Sequence, residues 1–199
     1  MSKRDLEFLY EVGSLRYLPR QWRRFGLIDA QNITEHHFRV IWLALVIAAR
    51  EGVKDTDRIV KMALIHDVAE SRTNDADYIS RQYVEHKEEQ AISDILEKTS
   101  LQKEFMDLWR EYEDRQTIES KIVKDADNLD VDMELRELGA RGLELESIWE
   151  KHRTPLAAKN LYTESAKQLY KEIRASSPDD WHVKSSGNRV NGGDWKGKV

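Results

Sequence analysis

Cysteine is absent from this chain of 199 residues, which excludes disulfide staples, thiolate zinc sites and iron–sulfur clusters. Any metal has to be held by imidazoles and carboxylates. Proline is scarce, at three, and glycine modest, at nine. No alternating β-rich segment competes with the long stretches of Glu, Lys, Leu, Ala and Arg, so the spacing predicts a nearly all-α fold. There is no run of about 18 uncharged apolar residues to span a membrane, and Met1-Ser2-Lys3-Arg4-Asp5 lacks the apolar core of a signal peptide. The cytoplasm is the expected compartment, with no membrane partner. A basic excess is missing too. The net charge of −5 argues against a nucleic-acid polymer as partner, while a local cluster of Arg or Lys still suits a small anion.

What is present fits one domain: 40% hydrophobic residues for a core and 35% charged residues for a surface. Helices are expected at about Lys3–Leu18, Thr34–Ala49, Thr56–Asp67, Arg81–Glu97, Leu101–Arg115, Ile118–Gly139 and Thr154–Ala175. Asn32 or Thr34 is the candidate cap of the second, Asp55 or Thr56 of the third, and Pro155 suits a first turn. The second helix is apolar on nearly every side and is expected to be the buried centre, closed by Gly52. Residues 1–178 are expected to form the domain. Residues 179–199, polar and containing Gly, Ser and Trp, read as a flexible tail.

Three groups of residues can carry chemistry. His66-Asp67 sits on an apolar helix, with Glu70 three to four positions on, so all three can share a face. A lone buried histidine is more often a satisfied core residue than a ligand, but its direct attachment to Asp67 weakens that reading. Glu35-His36-His37 opens the second helix. His36 aligns with Val40, Leu43 and Ile47, and His37 with Ile41, Ala44 and Ala48, and the spacing does not choose between them. In Lys124-Asp125-Ala126-Asp127-Asn128-Leu129, Asp127 aligns with inward Val123 and Val131, whereas Asp125 lies on a more mixed face. Lys124 is expected to pair with Glu119 or with the segment around Arg20.

Together, His36, His66-Asp67 and Asp127 resemble the H…HD…D signature of the HD-domain superfamily of metal-dependent phosphohydrolases. Glu35-His36 resembles an EHS-type first ligand, His66 to Glu70 resembles HDxxE, and Lys124 to Leu129 resembles KxADxL. These details are similar to the 5′-deoxynucleotidase branch, from about Phe8 to Arg174. The resemblance implies a single HD-domain bundle of about six to eight helices. It also implies one divalent metal (Mn²⁺, Co²⁺, Fe²⁺, Ni²⁺ or Zn²⁺) held by His36, His66, Asp67 and Asp127.

Glu70 is then the acid–base residue, and Asp75 a catalytic-site partner of substrate or water. The resemblance also implies that Trp22 lies in a segment that contacts the nucleotide. Gln21 stands where relatives often carry Arg, so the phosphate contact falls to Arg20 or Arg23. The implied activity is hydrolysis of (deoxy)nucleoside 5′-monophosphates by a homodimer. Two alternatives stay open: hydrolysis of an alarmone or a nucleoside triphosphate, and a metal-bound, non-catalytic regulatory domain.

Overall fold

The computed structural model describes residues 3–27 and 29–184, and the regular structure within them is helical. Its helices are α1 (Lys3–Ser14), α2 (Ile33–Glu51), α3 (Thr56–Ile65), α4 (Glu70–Thr73), α5 (Glu88–Leu96), α6 (Gln102–Asp114), α7 (Ile118–Ala140), α8 (Leu145–Asn160), α9 (Glu164–Ala175) and α10 (Asp180–Val183). Short 3₁₀ turns occupy Leu15–Tyr17, Gln21–Phe25 and Ser80–Gln82. Eight of these helices have nine residues or more, against the six to eight expected. None among the described residues is long and apolar enough to cross a membrane.

Local chemistry sets the ends of α2. Asn32 accepts from the Glu35 N–H at 3.0 Å, and Glu35 accepts from the Asn32 N–H at 2.9 Å, a reciprocal capping box. Gly52, at φ 72°, terminates the helix in the left-handed conformation. Ile33, Val40, Ala44, Ile47 and Ala48 are fully buried against the neighbouring helices, chiefly α7 and α3. The expectation of a helix buried all round fails on the opposite face. Phe38, Trp42 and Val46, one turn apart, are exposed.

Several boundaries also differ from expectation. The first helix stops at Ser14, and its last turns tighten to 3₁₀. Residues 83–87 are not helical; Asp77 caps a short turn by accepting the N–H groups of Ile79 and Ser80 at 2.8 and 3.0 Å, and α5 starts only at Glu88. Pro155 lies inside α8, a helix that the sequence reading had merged with α9. The break between α8 and α9 is imposed from outside: Asp125 on α7 accepts the N–H groups of Tyr162 and Thr163, each at 2.8 Å. Part of the expected tail forms α10, tied down by paired bonds of 2.9 Å from Arg141 to Asp179. Residues 185–199 of that tail lie outside the described residues.

Candidate metal centre

The His66-Asp67 pair follows α3 rather than sitting within a continuous helix that reaches Glu70. From Ile65 onward the backbone bonds become i to i+3: Val68 N–H to Ile65, Glu70 N–H to Asp67 and Ser71 N–H to Val68, at 3.0 to 3.1 Å. Ala63 O, which a continuing helix would offer to residue 67, instead accepts His66 Nδ1–H at 2.8 Å. These tightened turns aim His66, Asp67 and Glu70 at the start of α2 and the middle of α7.

There, His36, His66, Asp67 and Asp127 each offer one atom, and these atoms all lie within 4.8 Å of one another. His36 Nε2 stands 3.3 Å from His66 Nε2, 3.5 Å from Asp67 Oδ2 and 3.3 Å from Asp127 Oδ1. His66 Nε2 is 3.2 Å from Asp67 Oδ2. Each imidazole uses Nδ1 elsewhere, His66 on Ala63 and His36 on Asp130 at 2.6 Å. Both Nε2 atoms therefore face the same small space beside two carboxylates. Two imidazole lone pairs with two carboxylates are a mixed N/O donor set able to hold a divalent cation.

The electrostatics agree. Burial disfavours charge on His36 and Arg20 adds to that, yet hydrogen bonds to Asp127, Asp130 and Asp67 raise its pKa well above the usual value. Burial likewise opposes ionisation of Asp127, but Lys124 and His36 hold its carboxyl well below the usual range. Asp67 is also held low, by His66 and His36 against its burial. The site is built to carry positive charge at its centre.

His37 is not part of this group. It is buried, its Nε2 has no partner, and burial followed by the neighbouring His66 pushes its pKa well below the usual value. Asp125, too, points away, to the α8–α9 junction. Lys124 binds Asp127 Oδ2 at 2.7 Å rather than Glu119 or the Arg20 segment.

Around the cluster lies a cleft of about 220 Å³ lined by Arg20, Trp22, Glu70, Asp75, Tyr78, Lys124 and Arg153 among others. Arg20 is buried, with Nη1 3.3 Å from Asp67 and Nε 3.6 Å from Asp75, and that Nε has no hydrogen-bond partner. Asp75 also accepts the Gln21 N–H at 2.9 Å, which fixes the segment carrying Arg20 and Trp22. Arg23 is exposed and does not line the cleft. Glu70 is buried with an unpartnered Oε2; burial, then Asp67 and Asp75, raise its pKa well above the usual carboxylate value.

Trp22 packs edge-on to Trp149, ring centres 4.9 Å apart, and Phe25 stacks on Tyr78 at 5.5 Å, forming an aromatic wall. The sequence reading missed Asp130 behind His36. It also missed Tyr112, whose hydroxyl lies 3.4 Å from Asp127, and Arg153, which is clamped on Asp132 at 2.9 and 2.6 Å. Asp130, three residues after Asp127 and hence on its helical face, was the one with a readable signal.

The family model for the HD domain matches residues 12–169. The chain belongs to the HD domain family. Among curated relatives of this HD protein is the Bos taurus 5′-deoxynucleotidase HDDC2, 33% identical over 138 residues, which are 66% of this chain and 66% of the relative. The Dictyostelium discoideum 5′-deoxynucleotidase HDDC2 is 32% identical over 154 residues, 71% of this chain and 81% of the relative. The match thus spans just under two thirds of the bovine protein's length. Of solved structures, the PH0347 protein from Pyrococcus horikoshii OT3 superposes with a TM-score of 0.67 at 26% identity, covering 85% of this chain and 96% of that one. The cyanophage S-2L HD phosphohydrolase DatZ, bound to dA and one catalytic Zn²⁺ ion, shares the fold at a TM-score of 0.53 and 21% identity, over 84% of this chain and 96% of that one.

Proposed function

We propose that this HD protein hydrolyses (deoxy)nucleoside 5′-monophosphates to nucleoside and phosphate, using one divalent metal held by His36, His66, Asp67 and Asp127. The observation that carries the reading is the convergence of those four residues, two of which, Asp67 and Asp127, line one cleft together with an unpartnered buried carboxyl, Glu70, and a buried guanidinium, Arg20. The 5′-deoxynucleotidase relatives supply the substrate class.

A divalent ion bound there supplies Lewis acidity toward a phosphoryl oxygen and acidifies a water. The rest falls to the chain itself. Arg20, anchored by Asp67 and Asp75, offsets charge on the equatorial phosphoryl oxygens. As the bond from phosphorus to the 5′ oxygen breaks and one from water oxygen forms, Glu70 gives the leaving alkoxide its proton, and the proton that the water gives up restores the acid form of Glu70. Its raised pKa keeps that proton in place to higher pH than an ordinary carboxyl would. Asp75 holds the Arg20–Trp22 segment, and Trp22 offers a face to the sugar or base.

A cleft of this size on a chain of net charge −5 suits a small nucleotide rather than a nucleic-acid polymer. A cysteine-free chain fits the cytoplasm. The same reading includes a homodimer, supported by the outward stripe of Phe38, Trp42 and Val46.

The test is phosphate release from a panel of ribo- and deoxyribonucleoside monophosphates by protein stripped of metal and reloaded with Mn²⁺ or Co²⁺. Free phosphate and nucleoside are expected as products. Glu70→Ala is expected to lose about 10²-fold or more in kcat while keeping its metal. Turnover confined to an alarmone or a triphosphate, with pyrophosphate or a longer unit leaving, would overturn the reading.

A further inference from the structure

The two imidazoles of the cluster are supported differently. His66 donates Nδ1–H to a backbone carbonyl, Ala63 O, whereas His36 meets a carboxylate: its Nδ1 lies 2.6 Å from Asp130 Oδ2, and both residues are completely buried. Asp130 is itself surrounded by donors. Gln31 Nε2 donates to Oδ2 and Arg39 Nε to Oδ1, and Arg39 is clamped in turn by paired 2.7 Å bonds to Glu137. With Arg39 donating to Oδ1 and Gln31 to Oδ2, the Asp130 carboxyl serves its neighbours as an acceptor, and the hydrogen of the His36 bond sits on Nδ1. In the neutral ring, the form that can coordinate a metal, Nε2 then keeps its lone pair, and Nε2 is the atom that faces His66, Asp67 and Asp127.

We infer that Asp130 is a positioning residue for the metal site: it fixes the tautomer and ring orientation of His36 and so keeps its Nε2 aimed at the other three candidate ligands. Gln31 and Arg39 hold Asp130 in place. A carboxylate behind a histidine strengthens its hold on a metal, and here the carboxylate is one turn along α7 from Asp127. One helix therefore contributes a candidate ligand and the support of another. The inference rests on the four-residue metal site of the proposed function.

The experiment measures metal affinity rather than turnover. Apo protein is titrated with Co²⁺ against a chelating dye, in wild type, Asp130→Asn and Asp125→Asn. Asp130→Asn keeps the shape and loses the charge; it is expected to keep its helical circular dichroism and to bind Co²⁺ about 10- to 100-fold more weakly. Asp125→Asn, which disturbs a buried aspartate of the same helix that serves only the α8–α9 junction, is expected to lower Tm and leave Co²⁺ affinity unchanged. Equal affinity in Asp130→Asn and wild type overturns the inference, whereas a wild type that binds no divalent ion overturns the metal site itself. A second measurement needs no variant. Long-range ¹H–¹⁵N spectra of the zinc-loaded wild-type chain should show the His36 proton on Nδ1, and a proton on Nε2 overturns the inference equally.

Discussion

Glu70 sits in a neighbourhood that decides where its proton goes. Its burial disfavours the carboxylate, Asp67 and Asp75 disfavour it further, and Arg20 and His36 only partly oppose them. A group that works as the acid in its protonated form, with a raised pKa, stays competent to higher pH than an ordinary carboxyl and loses competence as pH rises through that pKa. We therefore expect kcat to fall on the alkaline side. Asp75→Asn removes one of the two negative neighbours and leaves Arg20 less engaged, and both changes favour the Glu70 carboxylate. The alkaline limb of the pH–kcat profile should move to lower pH in that variant, and KM should rise as Arg20 and Gln21 lose their anchor. An alkaline limb that stays where it is would assign it to a group other than Glu70. The choice between His36 and His37 could not be made at this scale from spacing, because the first turn of α2 is enclosed on both sides and both rings are buried. What distinguishes them is the company of Nε2, three polar atoms for His36 and none for His37, and that is set by α3 and α7 rather than by α2.

At the scale of elements, the sequence was most informative where a helix is started by its own residues. Asn32 and Asp55 cap α2 and α3 through local bonds, and both were among the candidates. Boundaries set from elsewhere were not readable. Asp125 splits α8 from α9 across 37 and 38 positions, and Pro155, taken as a helix start, is accommodated mid-helix. The turn after α3 is similar, since its tightening follows from His66 claiming the Ala63 carbonyl. The outward face of α2 is the clearest departure, for apolar residues read as core turned out to be a surface stripe. Phe38 and Trp42 contact each other edge-on at 6.4 Å, and together with Val46 they leave an apolar strip in water. A second copy burying this strip is the homodimer of the proposed function. Light scattering is expected to give the mass of two chains for the wild type. For Trp42→Glu it should give the mass of one, with helical content retained. A wild type of one-chain mass, or a dimer indifferent to Trp42→Glu, would remove this face from consideration.

For the whole molecule, composition conveyed the class: no cysteine, few helix breakers and an acidic balance led to an all-α protein with a His/Asp metal site rather than a thiolate one. What composition could not convey is that the site is also a joint. Its four candidate ligands come from α2, the turn after α3, and α7, the helices that pack most extensively at the centre of the bundle. Without a cation, two carboxylates and two Nε2 atoms crowd one another there, so an ion that binds the folded chain also ties the three elements together. Binding restricted to the folded state stabilises by about 2.7 kcal/mol at a free metal concentration of 100 times Kd. For a chain of this length each kcal/mol moves Tm by about 2–4 °C. Saturating Mn²⁺ or Co²⁺ is therefore expected to raise Tm by roughly 5–10 °C over chelator-treated protein. Asp127→Asn should lose most of that increment. The increment should also shrink as pH falls, because protons compete for the imidazoles and carboxylates that must be free to coordinate. His36, whose proton affinity is raised, should make that competition begin before the pH reaches the ordinary histidine range. A Tm that is the same with chelator and with saturating metal would mean that the ion does not favour the folded chain, and the joint would have to be held by its hydrogen bonds alone.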